Sequence, residues 1–424
     1  MSDIGSLYEA DDTPTPTWPY LCQQTYADVA IIGGGLTGIS TALHLAREGV
    51  STVVLESHTP GYGASGRNGG QVNPGLKPTP DEVEADFGPE RGTRLVNLAW
   101  NAPDLVFDLI THYSLKCNAK RGGTIRAATA TSQLASLKSL MEQCSLRGGS
   151  VQWLDANAMH ERTGTSLYPG GMLDMRGGQL DPLAYTQGLA TAAINEGARI
   201  YANSHVISVR QSNGKWLIST RHGSVIAKKI VMATNGYTGT LWNKLRRSIV
   251  PVYSSIVATE PLPQSLRQRI LAQHEVLYEL GQITTYYRVD TSGRFLMGGR
   301  SYSHPAHNAA SFPHLVDRAC AMWPELKSVQ WTHGWNGQLA ITLDHYPHWH
   351  EPTPGFLSVL GYNGRGVALA TVMGREIALW LQNKAEPLFP ITPVQPIPAH
   401  AFWKIGVAGR IWLGRLQDRV EKLL

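Results

Sequence analysis

The chain has 424 residues, which exceeds what one hydrophobic core usually holds and points to two lobes. An apolar fraction of 42% and a charged fraction of 16% describe a folded globular chain rather than a disordered one. The excess of 37 Lys+Arg over 32 Asp+Glu is mild and spread along the chain, so nucleic acid is excluded as the natural partner.

The four cysteines, at 22, 117, 144 and 320, form no metal-ligand spacing, so no metal is expected and the thiols read as reduced in a cytoplasmic protein. The N-terminus carries acids and prolines where a signal peptide needs a basic start and an apolar run. No run of about 18 apolar residues occurs, so no spanning helix is expected.

In chain order, residues 1–26 read as an arm laid over the body. Asp28–Ile32 is a short buried strand, Leu36–Glu48 an amphipathic helix and Ser51–Glu56 the next strand, together a βαβ unit. Residues 94–148 read as mainly helical. Asp181-Pro182 opens a helix that Gly197 ends, the expected asymmetry of start and stop. Short strands follow at 199–202, 205–210, 215–220, 224–227 and 229–233. Residues 246–340 mix strands and helices, among them Ile283–Arg288 and Gly293–Arg300. Leu357–Leu360 is the final strand and Gly366–Leu381 the last long helix of the body.

Gly33-Gly34-Gly35-Leu36-Thr37-Gly38 lies between the first strand and its helix, the context in which GxGxxG binds a dinucleotide. Gly33 permits the turn, Gly35 lets the backbone approach a pyrophosphate, and Gly38 lets the helix lie close on the strand. The phosphates then face the helix N-terminus, whose free N–H groups and dipole favour negative charge. Glu56 ends the second strand 18 residues past Gly38, where a carboxylate accepts hydrogen bonds from a ribose diol. No second such motif occurs, so a bound flavin takes its electrons from the substrate rather than from a nicotinamide. The stretch Ser65–Val72 (SGRNGGQV) has almost nothing apolar to bury, and its glycines suit a backbone that something must approach closely.

These segments, with Gly63–Gln71, Asp181-Pro182-Leu183, Val231–Gly236, Trp335-Asn-Gly337 followed by Thr342-Leu-Asp344 and Pro347, and Gly361–Gly366, resemble the D-amino acid oxidase superfamily of FAD enzymes. The likeness lies in the glycine and sarcosine oxidase branch, nearest the γ-glutamylputrescine oxidoreductase type, and covers about residues 27–385 in the family order. It implies an α/β, two-lobed fold: a Rossmann-like FAD-binding domain from 27–95, 150–245 and 340–395, and a mixed-sheet substrate domain from 96–149 and 246–339.

The implied cofactor contacts are Gly33, Gly35, Leu36, Thr37 and Gly38; Glu56 and Ser57; Ala64, Ser65, Gly66, Arg67, Asn68, Gly69, Gly70 and Gln71; Val206, through its backbone on a strand at 204–209; Ala233, Thr234 and Gly236; and Gly361, Asn363, Gly364, Arg365, Gly366 and Val367. The last group opens a helix toward the flavin O2/N1 edge. Sarcosine oxidases attach flavin through a cysteine that 337–350 lacks here, so FAD is expected to be non-covalent. They also place a lysine over the flavin, and 294–299 offers none.

The implied reaction removes a hydride from the carbon beside an amine nitrogen, held roughly 3–3.5 Å from flavin N5, and yields an imine that water hydrolyses. An amine made neutral in a desolvated site needs no strong protein base, and none is named. Tyr286, Tyr287 and Arg288 alternate on one strand, with Tyr286 and Arg288 sharing a face opposite Tyr287. The catalytic candidates are Arg67, a cation beside the ring; Tyr287 and Trp335, aromatic rings for an amine; and Arg300, for a carboxylate. The substrate is a γ-glutamylputrescine-like or other amine. A pipecolate- or proline-like imino-acid dehydrogenase coupled to a membrane acceptor is the alternative, and a non-catalytic flavin scaffold the reading from another class. Oxygen or a respiratory acceptor takes the electrons, and the oligomeric state is open.

Residues 396–424 form a basic tail whose run 402–424 reads as an amphipathic helix. Ile405, Ala408, Trp412, Leu416 and Leu423 lie near one face, with Lys404, Arg410, Arg415, Arg419 and Lys422 largely elsewhere. Such a helix docks on its own protein, on a second subunit or on an anionic membrane surface at 401–424.

Overall fold

The computed structural model describes residues 5–10, 16–300, 306 and 308–421; Lys422 and Leu423 of the expected C-terminal helix lie outside them. Two eight-stranded sheets organise the chain. In the first, the order runs His348–Thr353, Phe356–Leu360, Ser224–Met232, Gln24–Ile32, Thr52–Leu55, Arg199–Tyr201. Gln24–Ile32 pairs in parallel with both of its neighbours, as the βαβ reading requires. Lys215–Ser219 and Ser208–Ser212 extend from Ser224–Met232 as antiparallel strands.

Both faces of this sheet are covered, which is why its strands read as continuous apolar runs. Val29, Ile31, Val54 and Val231 face the helices Leu36–Ala46, Pro182–Asn195 and Gly366–Leu381. Ala30, Ile32, Val53 and Ile230 face the antiparallel strands through Trp216 and Ile218. The helix Leu36–Ala46 crosses Gly366–Leu381 closely: a Cβ on Gly374 would lie 2.7 Å from Ser40 Oγ, and that hydroxyl donates to Thr371 O at 2.6 Å. At its start, Pro182–Asn195 is capped by Asp181, whose carboxylate accepts from Leu183 N–H and Ala184 N–H.

The second sheet runs Trp331–Ile341, Val250–Pro261, Arg294–Arg300, Thr285–Val289, Val276–Glu279, Thr124–Ala128, Gly170–Asp174, Val151–Asp155. Its outer face buries Val257, Leu277, Tyr287, Phe295 and Met297 under the helix Pro313–Met322 and Trp323. Its inner face carries Ile256, Ala258, Leu296 and Trp335 toward the first lobe.

Several expectations change. The stretch expected to be helical contains the strand Thr124–Ala128, and Val151–Asp155 and Gly170–Asp174, expected in the FAD lobe, extend the second sheet because both hairpin partners lie there. The end of the helix Pro89–Trp100, from residue 96 on, and the helix Ala102–His112, expected in the substrate lobe, bury Val96, Trp100 and Val106 in the core of the first. The strands expected at 224–227 and 229–233 are one continuous strand, Ser224–Met232.

Candidate active site

A cavity lies between the two sheets, and its walls come from segments far apart in the chain. The glycine-rich turn forms one end. Gly33 adopts a φ of 111°, open only to glycine, and a Cβ there would stand 2.7 Å from Ala233 O on the neighbouring strand. A Cβ on Gly35 would meet Ser65 Oγ at 2.7 Å; that hydroxyl accepts Leu36 N–H, capping the first turn of the helix. Glu56 accepts Gly34 N–H at 2.7 Å and His58 N–H at 2.9 Å, so its carboxylate sits at the strand end beside the turn. Tyr362 and Thr37 share a hydrogen bond of 2.6 Å, joining the start of the first helix to the turn that opens the last. Asn235 accepts Gly361 N–H, and Asn363 accepts Thr342 N–H, which holds that turn in place.

The stretch Ser65–Val72 begins as one helical turn, Ala64–Arg67, and ends as the two-residue strand Gln71–Val72. Four successive carbonyls are taken from outside: Arg67 O by Trp335 Nε1 at 2.9 Å, Asn68 O by the Tyr8 hydroxyl at 3.0 Å, Gly69 O by Arg288 Nε at 2.6 Å, and Gly70 O by Leu180 N–H at 2.9 Å. The loop's acceptors are thereby turned into the protein, while Arg67, Asn68, Gly69 and Gln71 line the cavity. Withholding acceptors suits a ligand edge that gains negative charge.

The other wall is the inner face of the second sheet. Tyr286 lies over Gly298, where any side chain would collide with the ring, and a Cβ on Gly69 would stand 2.7 Å from the same ring. Its hydroxyl hydrogen-bonds Ser254 Oγ at 2.9 Å, and burial pushes its pKa up to about 12, so it stays protonated. Tyr253, Thr284 and Arg300 complete this wall.

Among the described residues, the cavity lining contains Arg67, Lys77, Arg300 and Arg365 and not one Asp or Glu. Arg365 donates to Pro74 O at 2.8 Å and to the Tyr278 hydroxyl at 3.0 Å; buried Arg126 stands on the same tyrosine ring, 5.8 Å from its centroid. Lys77 lines the cavity with a side chain that is exposed to solvent. Desolvation first, then Arg365, Arg300 and Arg126, push its ammonium down to about 8. Desolvation, then Lys77 and Arg300, likewise depress His345. Neither Lys77 nor His345 carries a sequence motif; only the charges around them mark them.

Of the residues singled out in the sequence, the cavity lining holds Gly35, Leu36, Thr37, Ala64, Ser65, Arg67, Asn68, Gly69, Gln71, Ala233, Arg300, Asn363, Gly364, Arg365, Gly366 and Val367. Gly33, Gly38, Gly66, Gly70 and Gly236 stand behind it, each where a Cβ would strike neighbouring backbone. Thr234 bonds Thr238, and Ser57 bonds His205. Val206 is buried but precedes the strand Ser208–Ser212 instead of lying on it. Gly361 adjoins the lining through the Asn235 contact.

Two catalytic candidates sit elsewhere. Tyr287 points to the outer face, packed edge-on against Trp323 at 5.1 Å, because side chains alternate along the strand and its neighbour Tyr286 takes the cavity side. Trp335 is fully buried behind the loop, so it acts on the site through Arg67 O. Arg288 shares the face of Tyr286 but spends its donors on Gly69 O, Gln179, Leu180 O and Tyr8.

The C-terminal helix Trp403–Glu421 docks near the cavity mouth: Arg410 donates to Gln282 Oε1 at 2.6 Å, and Gly414 packs on Gln282 and Ile283, beside the lining residue Thr284. No helix of the described residues is long and apolar enough to cross a membrane.

The FAD dependent oxidoreductase family model matches residues 28–380. A Haemophilus influenzae protein named Probable oxidoreductase OrdL is 32% identical, over 85% of this chain and 84% of its own length. Gamma-glutamylputrescine oxidoreductase of Escherichia coli is 30% identical, over 93% of each chain. The crystal structure of glycine oxidase from Geobacillus kaustophilus superposes with a TM-score of 0.73 at 22% identity, covering 88% of this chain and 99% of that one, a likeness of fold. The glycine-rich turn, the acid at the second strand end and the acceptor-free loop fit the cofactor that this family binds. The chain belongs to the family of FAD dependent oxidoreductases.

Proposed function

We propose that this enzyme oxidises the C–N bond of an amine that also carries a carboxylate, of the γ-glutamylated amine class. One observation carries the reading: among the described residues, the cavity is lined by four cations and by no acid. Such a field repels a free polyamine and attracts a carboxylate. Arg365, at the opening of the helix Gly366–Leu381, is assigned to the flavin; Arg300 and Lys77 are left for the substrate.

FAD, which we take to be held non-covalently since none of the four cysteines lines the cavity, supplies the hydride acceptor when bound. The chain's own residues do the rest. Arg300 and Lys77 anchor the carboxylate, while Tyr286, fixed by Ser254 and by the bare backbone at Gly298, forms the wall against which the amine is oriented. The same cations lower the pKa of a bound ammonium, so the substrate gives up its proton to water and reacts as the neutral amine. A dedicated base is then unnecessary.

The alternative substrates are cyclic imino acids, which also carry a carboxylate. Anaerobic mixing with γ-glutamyl amines, free polyamines, sarcosine, glycine, proline, pipecolate and D-amino acids, followed by flavin absorbance, tests the reading. Bleaching by γ-glutamyl amines and none by free polyamines is expected; equal bleaching by free polyamines would sink it. Peroxide release in air then identifies oxygen as the acceptor.

The outward residues of the C-terminal helix, Phe402, Ile405, Trp412 and Leu413, are exposed beside Lys404 and Arg410. We assign this face to peripheral contact with an anionic membrane surface, on charge complementarity. Deletion of residues 401–424 should release the protein from sedimenting anionic vesicles, and unchanged sedimentation would refute the assignment.

A further inference from the structure

The N-terminal arm was expected only to lie over the body. Chain ends are ordinarily loose unless something ties them down. Here Leu7 and Tyr8 are 2% and 6% exposed, packed among Ile256, Ala258, Leu296 and Trp335 on the inner face of the second sheet. The Tyr8 ring stands edge-on to Trp335 at 5.4 Å. Its hydroxyl donates to Asn68 O at 3.0 Å and receives Arg288 Nη2 at 3.3 Å, so the phenol bridges the second sheet to the loop that lines the cavity.

The next residue reaches the loop as well. Glu9 Oε1 lies 3.5 Å from Arg67 Nη2, in an ion pair whose arginine side chain is 9% exposed. Arg67 otherwise rests on the Tyr62 ring, 4.8 Å from its centroid, and its buried Nε has no hydrogen-bond partner. Glu9 is therefore the carboxylate that offsets the one cation placed on the loop itself.

We propose that the segment Ser6–Glu9 is a working part of the active site, in which Tyr8 and Glu9 are positioning residues: Tyr8 fixes the loop Arg67–Gly70, and Glu9 sets the direction and the effective charge of Arg67. Burial raises the pKa of the Tyr8 phenol, which keeps its proton available for Asn68 O. Among the donors to the loop's carbonyls, only Tyr8 comes from the arm, ahead of the first sheet strand.

The test uses full-length holoenzyme and does not depend on the substrate, so its failure is separate from failure of the amine reading. The flavin midpoint potential, measured against reference dyes, and the FAD dissociation constant of the apoprotein are compared for wild type, Glu9→Gln, Glu9→Asp and Tyr8→Phe. Freeing Arg67 from its counter-charge favours the reduced, anionic flavin, so Glu9→Gln shifts the potential upward and Glu9→Asp restores it. The shift vanishes in an Arg67→Ala background, as coupling through Arg67 requires. Tyr8→Phe, which keeps the packed ring, weakens FAD binding several-fold at unchanged melting temperature. Wild-type potential in Glu9→Gln together with wild-type FAD affinity in Tyr8→Phe would overturn the proposal; a Glu9→Gln shift that persists without Arg67 would overturn the role given to Glu9.

Discussion

The indole N–H of Trp335 donates to the carbonyl of Arg67 across 2.9 Å, joining the longest strand pair of the second sheet to the loop of the first lobe that lines the cavity. Trp335→Phe keeps most of the buried volume and removes only this donor. It leaves a buried carbonyl unsatisfied, at a cost of about 1–3 kcal/mol. The expected signature is a lower melting temperature and slower anaerobic flavin reduction at an unchanged substrate concentration for half-maximal rate. A wild-type reduction rate would show that the loop holds its geometry without the indole.

Gly298 is bare because Tyr286 occupies the space its side chain would need. Gly298→Ala displaces the ring and breaks its bond to Ser254. Reduction by the substrate should fall by about 100-fold, the scale of a misplacement near one ångström. Removing the obstructing ring in the double variant Gly298→Ala/Tyr286→Ala should make the glycine substitution itself nearly neutral.

Tyr287 tests the other face of the same strand. Tyr287→Ala opens a cavity against Phe295 and Trp323 and should cost about 3–5 kcal/mol of stability, read in denaturant unfolding. Tyr287→Phe should leave turnover unchanged, whereas loss of turnover would return the residue to the site.

Lys77 predicts a pH dependence. Its ammonium, held down to about 8, is charged below that pH and neutral above it, so carboxylate binding weakens as pH rises through this value. The KM for a carboxylate-bearing amine should climb above about pH 8 and stay flat in Lys77→Arg, whose guanidinium keeps its charge. Steady-state kinetics across that range would decide the matter, and an unaltered climb in the arginine variant would assign the titration to another group.

The two-strand glycine-rich unit and the last helix were legible because their signals are local: Gly33 needs its turn, Gly38 its close approach, and Gly366–Leu381 its apolar run. The second sheet was much less legible. Thr124–Ala128 sits inside a stretch of helical composition and is a strand because its partners, Val276–Glu279 and Gly170–Asp174, come from either side of it in the sheet. Alternation on Thr285–Val289 separated Tyr286 from Tyr287 correctly, but which face meets the cavity depends on what packs outside, here Trp323 and Phe295.

The sequence by itself determined the family, the glycine-rich turn and the loop Ser65–Val72, since each depends on residue types within a few positions of one another. Only the tertiary structure decided which cations meet, for Lys77, Arg126, Arg300 and Arg365 come from four distant segments and act together through a Coulomb field that falls with distance in space, not along the chain. The buried place of Tyr8 has the same origin: a tyrosine in a polar N-terminal arm acquires its role from the carbonyl and the arginine it meets once the sheets have packed.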